Sequence, residues 1–233
     1  VAIYHFSTKF RNELRARSGI MRGREFMMKD LYSAHVDEKE MWDYYEKVKQ
    51  AYVKVYKRLG LVTTRVIDAP GGVFTERNTH EFQVPDAGGE DTIYYCDRCD
   101  WGVNKELIEG KGFADKCPKC KKGKVIESNT AVEVGNIFPL GTWYSERMRV
   151  YFTDQDGKRK PPWFASYGIG STRVLGTLVE VSHDDKGIIW NKTVAPFDVH
   201  LIELPGFKNA QKVYHELKED GIDVLWDDRD VPV

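Results

Sequence analysis

The residues best able to do chemistry lie near the start of the chain, where arginine is concentrated. Five arginines occur within fourteen positions, at Arg11, Arg15, Arg17, Arg22 and Arg24. The pattern predicts a strand, a glycine-containing loop and a second strand, with alternate side chains from residue 11 to residue 17 on one face. Neighbouring guanidinium groups repel unless an anion separates them, and arginine binds phosphate and carboxylate through paired N–H donors. The stretch indicates an anion-binding surface; the alternative is a solvated charged hairpin.

A second candidate anion site lies at residues 165–173, where a predicted strand leads into a predicted helix. Gly168 and Gly170 would let the backbone approach a ligand closely. A helix N-terminus also offers free N–H groups and partial positive charge to an anion. Arg173 falls in the first helical turn, where a cation opposes the helix dipole, so a bound polyphosphate would explain its presence there.

All the cysteines belong to one pattern. Cys96 and Cys99 form one C-x₂-C pair, and Cys117 and Cys120 form another after seventeen intervening residues. Two such pairs at this spacing are typical of a closed tetrathiolate Zn²⁺ site. Because all four ligand positions are filled by protein, we expect the zinc to be structural rather than catalytic.

Composition excludes some classes of protein. The 233 residues include 35 Lys and Arg against 36 Asp and Glu, for a net charge of −1. A nucleic-acid partner would therefore have to bind a local patch. No run approaches the roughly 18 apolar residues that cross a bilayer, and no signal peptide is recognisable. We expect a cytoplasmic protein without a membrane partner.

Periodicity predicts elements of both kinds, and so an α+β fold. Asp37 and Glu40 have capping-box spacing, and apolar residues then recur at helical intervals up to Leu59, followed by Gly60 as a helix stop. Strands are predicted over 61–67, 79–85, 132–138, 147–153 and 163–167, the last being the return strand of a hairpin turning at 154–157. A helix is predicted over 172–181, a linker over 190–196, and a βαβ unit over 199–204, 210–217 and 224–226.

Four segments together carry a family resemblance. Phe10-Arg11-x-Glu13 with Arg24-Glu25-Phe26 resembles motif 2 of class II aminoacyl-tRNA synthetases, and the glycines before Arg173 resemble motif 3. The amino-acid sequences of residues 32–35, 79–83 and 133–145 are most similar to those of prolyl-tRNA synthetases. The resemblance covers nearly the whole chain apart from roughly residues 96–128.

The resemblance implies a domain organisation. A class II catalytic core, an antiparallel sheet flanked by helices, would span residues 1–194 and contain a zinc-ribbon insert at 94–128. A truncated α/β anticodon-binding domain would occupy residues 195–233. Motif 1 and the threonine–glutamate loop that holds proline would lie outside this chain. The isolated 233 residues are therefore expected to be inactive, as an incomplete part of a homodimeric enzyme.

The resemblance also implies an activity and a set of roles. The enzyme would activate proline with ATP and Mg²⁺ and transfer it to tRNA(Pro). Arg11 and Arg173 would be catalytic, with Arg11 between the α-phosphate and the proline carboxylate. The implied ATP-binding residues are Arg11, Glu13, Arg22, Phe26, Glu133, Gly168, Gly170 and Arg173. The implied proline-binding residues are Arg11, His80, Phe82 and Ser166.

Other interpretations stay open. A synthetase-like paralogue could keep the fold for tRNA binding or regulation, although such proteins usually lose the catalytic arginines. A class II synthetase of threonyl or glycyl specificity is a further alternative, and so is a zinc-ribbon nucleic-acid-binding module with an unrelated body. Only the short cysteine insert occupies the space that holds an editing domain in many bacterial relatives. We therefore expect that the parent enzyme does not clear alanyl-tRNA(Pro) by itself.

Overall fold

The computed structural model describes residues 1–108, 115–204, 206 and 209–229. Parts of the predicted insert (109–114) and of the predicted second domain (205, 207–208 and 230–233) lie outside the described residues. The chain divides into two compact units, Val1–Ile188 and Ile189–Val233. No helix among the described residues combines the length and apolar character needed to span a bilayer.

The first unit is built from thirteen strands and three helices of the described chain. The strands that matter for the site are β1 (Ala2–Phe10), β2 (Glu25–His35), β3 (Arg65–Ala69), β4 (Thr79–Pro85), β5 (Ile93–Cys96), β6 (Gly102–Asn104), β7 (Val125–Ser128) and β8 (Ala131–Gly141). They are followed by β9 (Phe152–Thr153), β10 (Arg159–Lys160), β11 (Trp163–Ile169), β12 (His183–Asp184) and β13 (Gly187–Ile188). The helices are α1 (Glu38–Leu59), α2 (Trp143–Arg147) and α3 (Ser171–Val181).

Nine of these strands form one mixed, mainly antiparallel sheet. Its order is β1-β2-β11-β8-β4-β3-β6-β5-β7. Neighbouring strands are antiparallel except β3 and β6, which pair in parallel at Asp68 and Val103. Because β2, β11 and β8 are adjacent, segments that are far apart in the sequence lie side by side at the centre of the sheet. The predicted α+β class is confirmed.

Helix α1 begins and ends where the sequence predicts. Asp37 accepts a hydrogen bond from the Glu40 backbone N–H at 2.7 Å, and the Glu40 carboxylate accepts from the Val36 N–H at 3.0 Å. This satisfies backbone donors that the first turn leaves free. Gly60 ends the helix with φ 98°, a left-handed conformation that glycine adopts without steric cost.

The aromatic stripe of α1 packs on one face of the sheet. Tyr52 and Tyr56 lie 5.1 and 5.4 Å from the Phe82 ring, and Tyr45 lies 5.9 Å from the Tyr167 ring. The buried Tyr45 and Tyr56 hydroxyls donate to backbone carbonyl oxygens of β8, so these polar groups are satisfied. This helix covers one face of the sheet and leaves the other face free to form a site.

Three sequence predictions need correction. Residues 11–17 do not continue the first strand, because β1 ends at Phe10; residues 11–24 form a loop that contains a short 3₁₀ turn at Gly19–Met21. Residues 147–153 are mostly not a strand, since α2 ends at Arg147 and only Phe152–Thr153 is extended. The turn at 154–157 does form, but the strand that returns from it is β10; β11 pairs instead with β2 and β8.

The second unit contains the predicted βαβ arrangement. Strands β14 (Val199–Ile202) and β15 (Val224–Asp227) pair in parallel, with α4 (Ala210–Glu219) between them in the chain. A parallel pair requires a crossover connection of this kind. Ring packing of Tyr214 on Trp226, with centroids 5.3 Å apart, holds the helix against the strands.

Candidate functional site

A cavity of about 1040 Å³ opens on the sheet face opposite α1. Its floor is formed by alternate residues of the central strands, which share one face as strand geometry requires: Phe26, Met28, Asp30 and Tyr32 of β2, Asn136 and Phe138 of β8, and Ser166 and Gly168 of β11. The loop 11–24 and the start of α3 form another part of its wall. The cavity is large enough for a nucleotide together with a small amino acid.

Most of the residues predicted for a site lie at this cavity. Its lining includes Arg11, Glu13, Arg22, Phe26, Glu133, Ser166, Gly168, Gly170 and Arg173. Arg11 and Arg173, 162 positions apart in the chain, therefore share one cavity. Three guanidinium groups in one concave site are suited to a substrate that carries several negative charges.

Arg11 lies directly over an aromatic ring. Its guanidinium carbon is 5.0 Å from the centroid of Phe26, a cation–π contact. The Arg11 N–H also donates to the Arg24 carbonyl at 2.9 Å, which closes the base of the loop. The pair thus places a cation and a flat apolar surface beside each other, as binding of a phosphate and of a heterocyclic ring would need.

Carboxylates hold the loop arginines in place. Arg22 donates from Nε to Glu13 at 2.9 Å and from Nη1 to Glu90, while Arg17 pairs with the other oxygen of Glu90. The hydrogen bond from Arg22, followed by that from the Arg15 N–H, lowers the pKa of Glu13. Glu13 is therefore an ionised acceptor at neutral pH.

Arg173 is held between the loop and β8. Its Nε donates to the Met21 carbonyl at 3.0 Å, and its Nη1 donates to the Glu133 carbonyl at 2.8 Å and lies 3.4 Å from the Glu133 carboxylate. Burial raises the pKa of Glu133, and the charges of Arg173 and, more weakly, Arg11 oppose that shift. The sequence predicted a bound polyphosphate as the reason for a cation in the first helical turn; within the protein, Arg173 already has carbonyl and carboxylate partners.

A polar network centred on Glu81 and Gln83 joins β4 to the insert and to the turn that contains Asp91. Glu81 accepts from Gln83 and from Asn104, both at 3.0 Å, and Gln83 also donates to Asp91 at 2.7 Å. Burial, reinforced by repulsion from Glu133, raises the pKa of Glu81 to about 7. Asn104 belongs to β6 of the insert, so the network joins the insert to β4.

Two residues predicted for the proline pocket lie elsewhere. Neither His80 nor Phe82 is among the described residues that line the cavity. Phe82 is fully buried beneath Tyr52 and Tyr56, and His80 hydrogen-bonds the Tyr45 hydroxyl at 2.8 Å and lies 3.2 Å from Asp68. Both are on the α1 face of β4, where alternation along the strand turns them away from the cavity. The structure therefore places them in the helix–sheet packing.

Glu90, Glu81 and Asp91 are not among the site residues that the sequence predicts. The turn Gly88-Gly89-Glu90-Asp91 carries a recognisable signal, since two glycines followed by two acids indicate a tight turn that presents carboxylates. Nothing in the local sequence shows that the partners of Glu90 lie about seventy residues earlier.

The four cysteine sulfurs lie together, as a tetrathiolate site requires. All the Sγ atoms are within 4.8 Å of one another. Backbone N–H groups point at the sulfurs, from Arg98 to Cys96 at 3.3 Å and from Gly123 to Cys120 at 3.3 Å. The N–H donors of Gly123 and Lys122 lower the pKa of Cys120 to about 6. Although the Trp101 backbone lowers the pKa of Cys99, burial and the other cysteines raise it to about 12, so these two thiols ionise very differently in the absence of a metal. The donor set fits a Zn²⁺ ion.

A family model supplies the classification. The model described as "tRNA synthetase class II core domain (G, H, P, S and T)" matches residues 1–182. The chain belongs to this class II tRNA synthetase family. The matched region contains β1 to β11, α1 to α3 and the whole cavity.

Within that class, relatives of one specificity resemble the chain over nearly its whole length. Proline–tRNA ligases of Sulfurimonas denitrificans and Rickettsia bellii are 36% and 38% identical to it, over 97% and 98% of this chain. The chain spans 56% of the length of each. A crystal structure of prolyl-tRNA synthetase from Cryptosporidium parvum complexed with L-proline and AMP covers the whole chain, and the chain covers 42% of that structure, with a TM-score of 0.71. Its sequence identity is 20%, so this likeness shows the fold.

Proposed function

We propose that this chain is the ATP- and proline-binding part of a proline–tRNA ligase. The observation that carries the proposal is the single cavity lined by Arg11, Arg22 and Arg173 together with Phe26 and Glu13. The similarity of the chain to proline–tRNA ligases over nearly its whole length supports the specificity for proline. In the reaction the proline carboxylate attacks the α-phosphate of ATP and pyrophosphate leaves. A terminal ribose hydroxyl of tRNA(Pro) then takes the prolyl group from the adenylate, and AMP leaves.

The chain would act by positioning and by neutralising charge. Arg11 lies between the α-phosphate and the proline carboxylate, and lowers the repulsion between these two anions as they approach. Arg22 and Arg173 bind the terminal phosphates. The negative charge that develops on the departing pyrophosphate is then stabilised by these two guanidinium groups, which Glu13, Glu90 and Glu133 already hold in place.

The adenine would bind at the base of the loop. Phe26 stacks on the ring, and Glu13 accepts from its amino group. Gly168 and Gly170 allow the backbone to approach the ligand. Ser166, on the cavity floor beside Tyr32 and Phe138, borders the space for the proline ring.

Two metal ions belong to the proposal. ATP would enter as its Mg²⁺ complex, in which the metal lowers the charge of the triphosphate. Glu133 is the carboxylate of the cavity that we propose as a ligand of this Mg²⁺. Cys96, Cys99, Cys117 and Cys120 would hold a structural Zn²⁺. The proposed partners of the complete enzyme are tRNA(Pro) and a second copy of itself, in the cytoplasm.

Amino-acid-dependent exchange of pyrophosphate into ATP tests the proposal. We expect exchange from a protein that extends this chain to the length of its relatives, with proline and not with threonine or glycine. We expect none from the 233-residue chain alone, since the proline-holding loop of the family has no match in it. Exchange driven by threonine or glycine would assign another specificity, and binding of neither ATP nor proline would contradict the proposed function.

A further inference from the structure

Glu90 forms a junction between two parts of the loop 11–24. One oxygen of its carboxylate pairs with Arg17 and the other with Arg22. Its side chain is 29% exposed, against 56% for Arg17 and 39% for Arg22, so the junction lies at the surface with the carboxylate as its least exposed member. Arg22 and Arg17 are in turn joined through the backbone, where the Arg17 N–H donates to the Arg22 carbonyl at 3.1 Å. A single carboxylate thus closes both sides of this narrow loop.

Glu90 is itself held by a rigid turn. The N–H groups of Glu90 and Asp91 donate to the Ala131 carbonyl at 3.0 and 3.2 Å, and the Gly89 N–H donates to the Asp86 carbonyl at 3.0 Å. A side chain at Gly89 would lie 2.2 Å from the backbone of Ala131, so the turn is packed directly on the start of β8. The carboxylate is therefore presented from a turn that is fixed against the sheet.

The loop has one further anchor on its other side. Met21 is buried, and its carbonyl accepts from Arg173 at 3.0 Å. Without Glu90, the segment between Glu13 and Gly23 would keep this anchor and the Arg22–Glu13 pair. Arg22 would then be free to rotate about a single carboxylate contact.

We propose that Glu90 is a positioning residue that holds the loop 13–23 over the cavity and aims Arg22 at the terminal phosphates of a bound nucleoside triphosphate. The inference rests on the proposed function for the identity of the ligand. The holding of loop 13–23 by Glu90 does not require a ligand. Glu90 does not touch the reacting atoms; it acts through Arg22.

Hydrogen exchange in the nucleotide-free chain tests the holding role. We expect Glu90→Gln to speed amide exchange in peptides covering residues 15–23 by about tenfold, because the substitution removes the charge that both arginines share. Exchange in α1 should stay unchanged, and Glu90→Asp should be intermediate. Unchanged loop exchange, or equal acceleration in the loop and α1, would overturn the proposal.

Nucleotide affinity tests the aiming role. Calorimetry should give about a tenfold weaker Kd for ATP in Glu90→Gln, with the Kd for AMP within about twofold of the unsubstituted chain, because AMP lacks the phosphates that Arg22 would meet. Asp43→Asn is the matched control, since it removes an exposed carboxylate paired with Lys39 on α1.

The outcomes separate the two claims. Equal loss of ATP and AMP affinity, or tighter ATP binding by Glu90→Gln, would overturn the aiming role, the latter because it would show that Glu90 competes with phosphate for Arg22. If the unsubstituted chain bound neither nucleotide, the proposed function and the aiming role would both fall. The hydrogen-exchange experiment would still decide whether Glu90 holds the loop.

Discussion

Glu81 is a residue whose ionisation the fold changes strongly, because it is buried near a second carboxylate. Its pKa is raised from 4.5 to about 7, first by burial and then by Glu133. Between these two values the folded chain keeps a proton that the unfolded chain has released. The free energy of unfolding therefore falls as pH rises from about 4.5 to 7. The stabilisation that comes from keeping Glu81 protonated in the folded chain is fully present only below the pKa of the unfolded chain.

Glu81→Gln should remove that dependence. A glutamine oxygen can still accept the hydrogen bonds from Gln83 and Asn104, whereas the buried charge is gone. We expect urea unfolding to show the variant gaining stability relative to the unsubstituted chain as pH rises, by on the order of 2–3 kcal/mol between pH 4.5 and 7. Taking the difference cancels groups that do not interact with Glu81, such as His80, whose pKa burial lowers.

The control for this experiment is Asp43→Asn. Its carboxylate is exposed and its pKa is lowered by Lys39, so its titration falls below the tested range. A constant difference between Glu81→Gln and the unsubstituted chain across the range would contradict the assignment of the raised pKa.

Among individual residues, the sequence indicated the cations and two of their carboxylate partners, Glu13 and Glu133, but not Glu90. Arg11, Arg22 and Arg173 stand out because their types and neighbours match known motifs. Glu90 lies 68 positions after Arg22, and a salt bridge across that separation leaves no local pattern. His80 and Phe82 were assigned to the cavity because the local motif does not reveal which face of β4 an overlying helix covers.

At the scale of elements, local signals predicted α1 and β4 well and failed at 147–153. The Asp37 cap and the Gly60 stop are chemical signals that act within one turn, so the sequence alone suffices for them. Residues 143–153 contain apolar and β-branched residues that favour a strand. In the structure α2 forms at 143–147, stabilised by the Ser145 hydroxyl, which donates to the Pro162 carbonyl at 2.7 Å. That tertiary contact is not readable from local propensity.

The cysteine insert is the element whose stability we expect to depend on a metal. Its strands β5, β6 and β7 extend the main sheet beyond β3, and the cysteines lie at their ends and turns. The chain should bind one zinc ion, and chelation should lower the melting temperature by about 5 °C or more, because metal binding contributes to folding. Mass spectrometry of the metal content and a thermal scan would measure both effects.

Variants sharpen the zinc prediction. Cys99→Ser should lose the ion and melt at the temperature of the chelated protein. Lys122→Ala, beside the second cysteine pair, should keep both the ion and the melting temperature. Retention of stoichiometric zinc by Cys99→Ser, or a chain purified without zinc that is insensitive to chelators, would exclude the tetrathiolate site.

At the scale of the whole molecule, the first unit uses one sheet for two purposes. One face is closed by the aromatic stripe of α1, and the other carries the cavity. The order β2-β11-β8 brings the loop 11–24, Glu133 and the start of α3 to the same end of that cavity. Strand order is a non-local property, which is why the sequence could identify these segments but only a family resemblance could bring them together.

We propose that Arg11 and Arg173 bind different phosphates of the same nucleotide. Calorimetric Kd values for ATP and AMP would test this proposal in Arg11→Ala, Arg173→Ala and, as an exposed control on α1, Arg58→Ala. Arg173→Ala should weaken ATP binding by about tenfold or more and leave AMP nearly unchanged, since each lost charge-assisted contact costs about 1.5–3 kcal/mol. Arg11→Ala should weaken the binding of both nucleotides, because both carry the α-phosphate. Arg58→Ala should weaken the binding of neither. Equal losses of affinity for ATP and AMP in Arg173→Ala, or unchanged affinities in both cavity variants, would show that the two arginines do not bind different phosphates of one nucleotide.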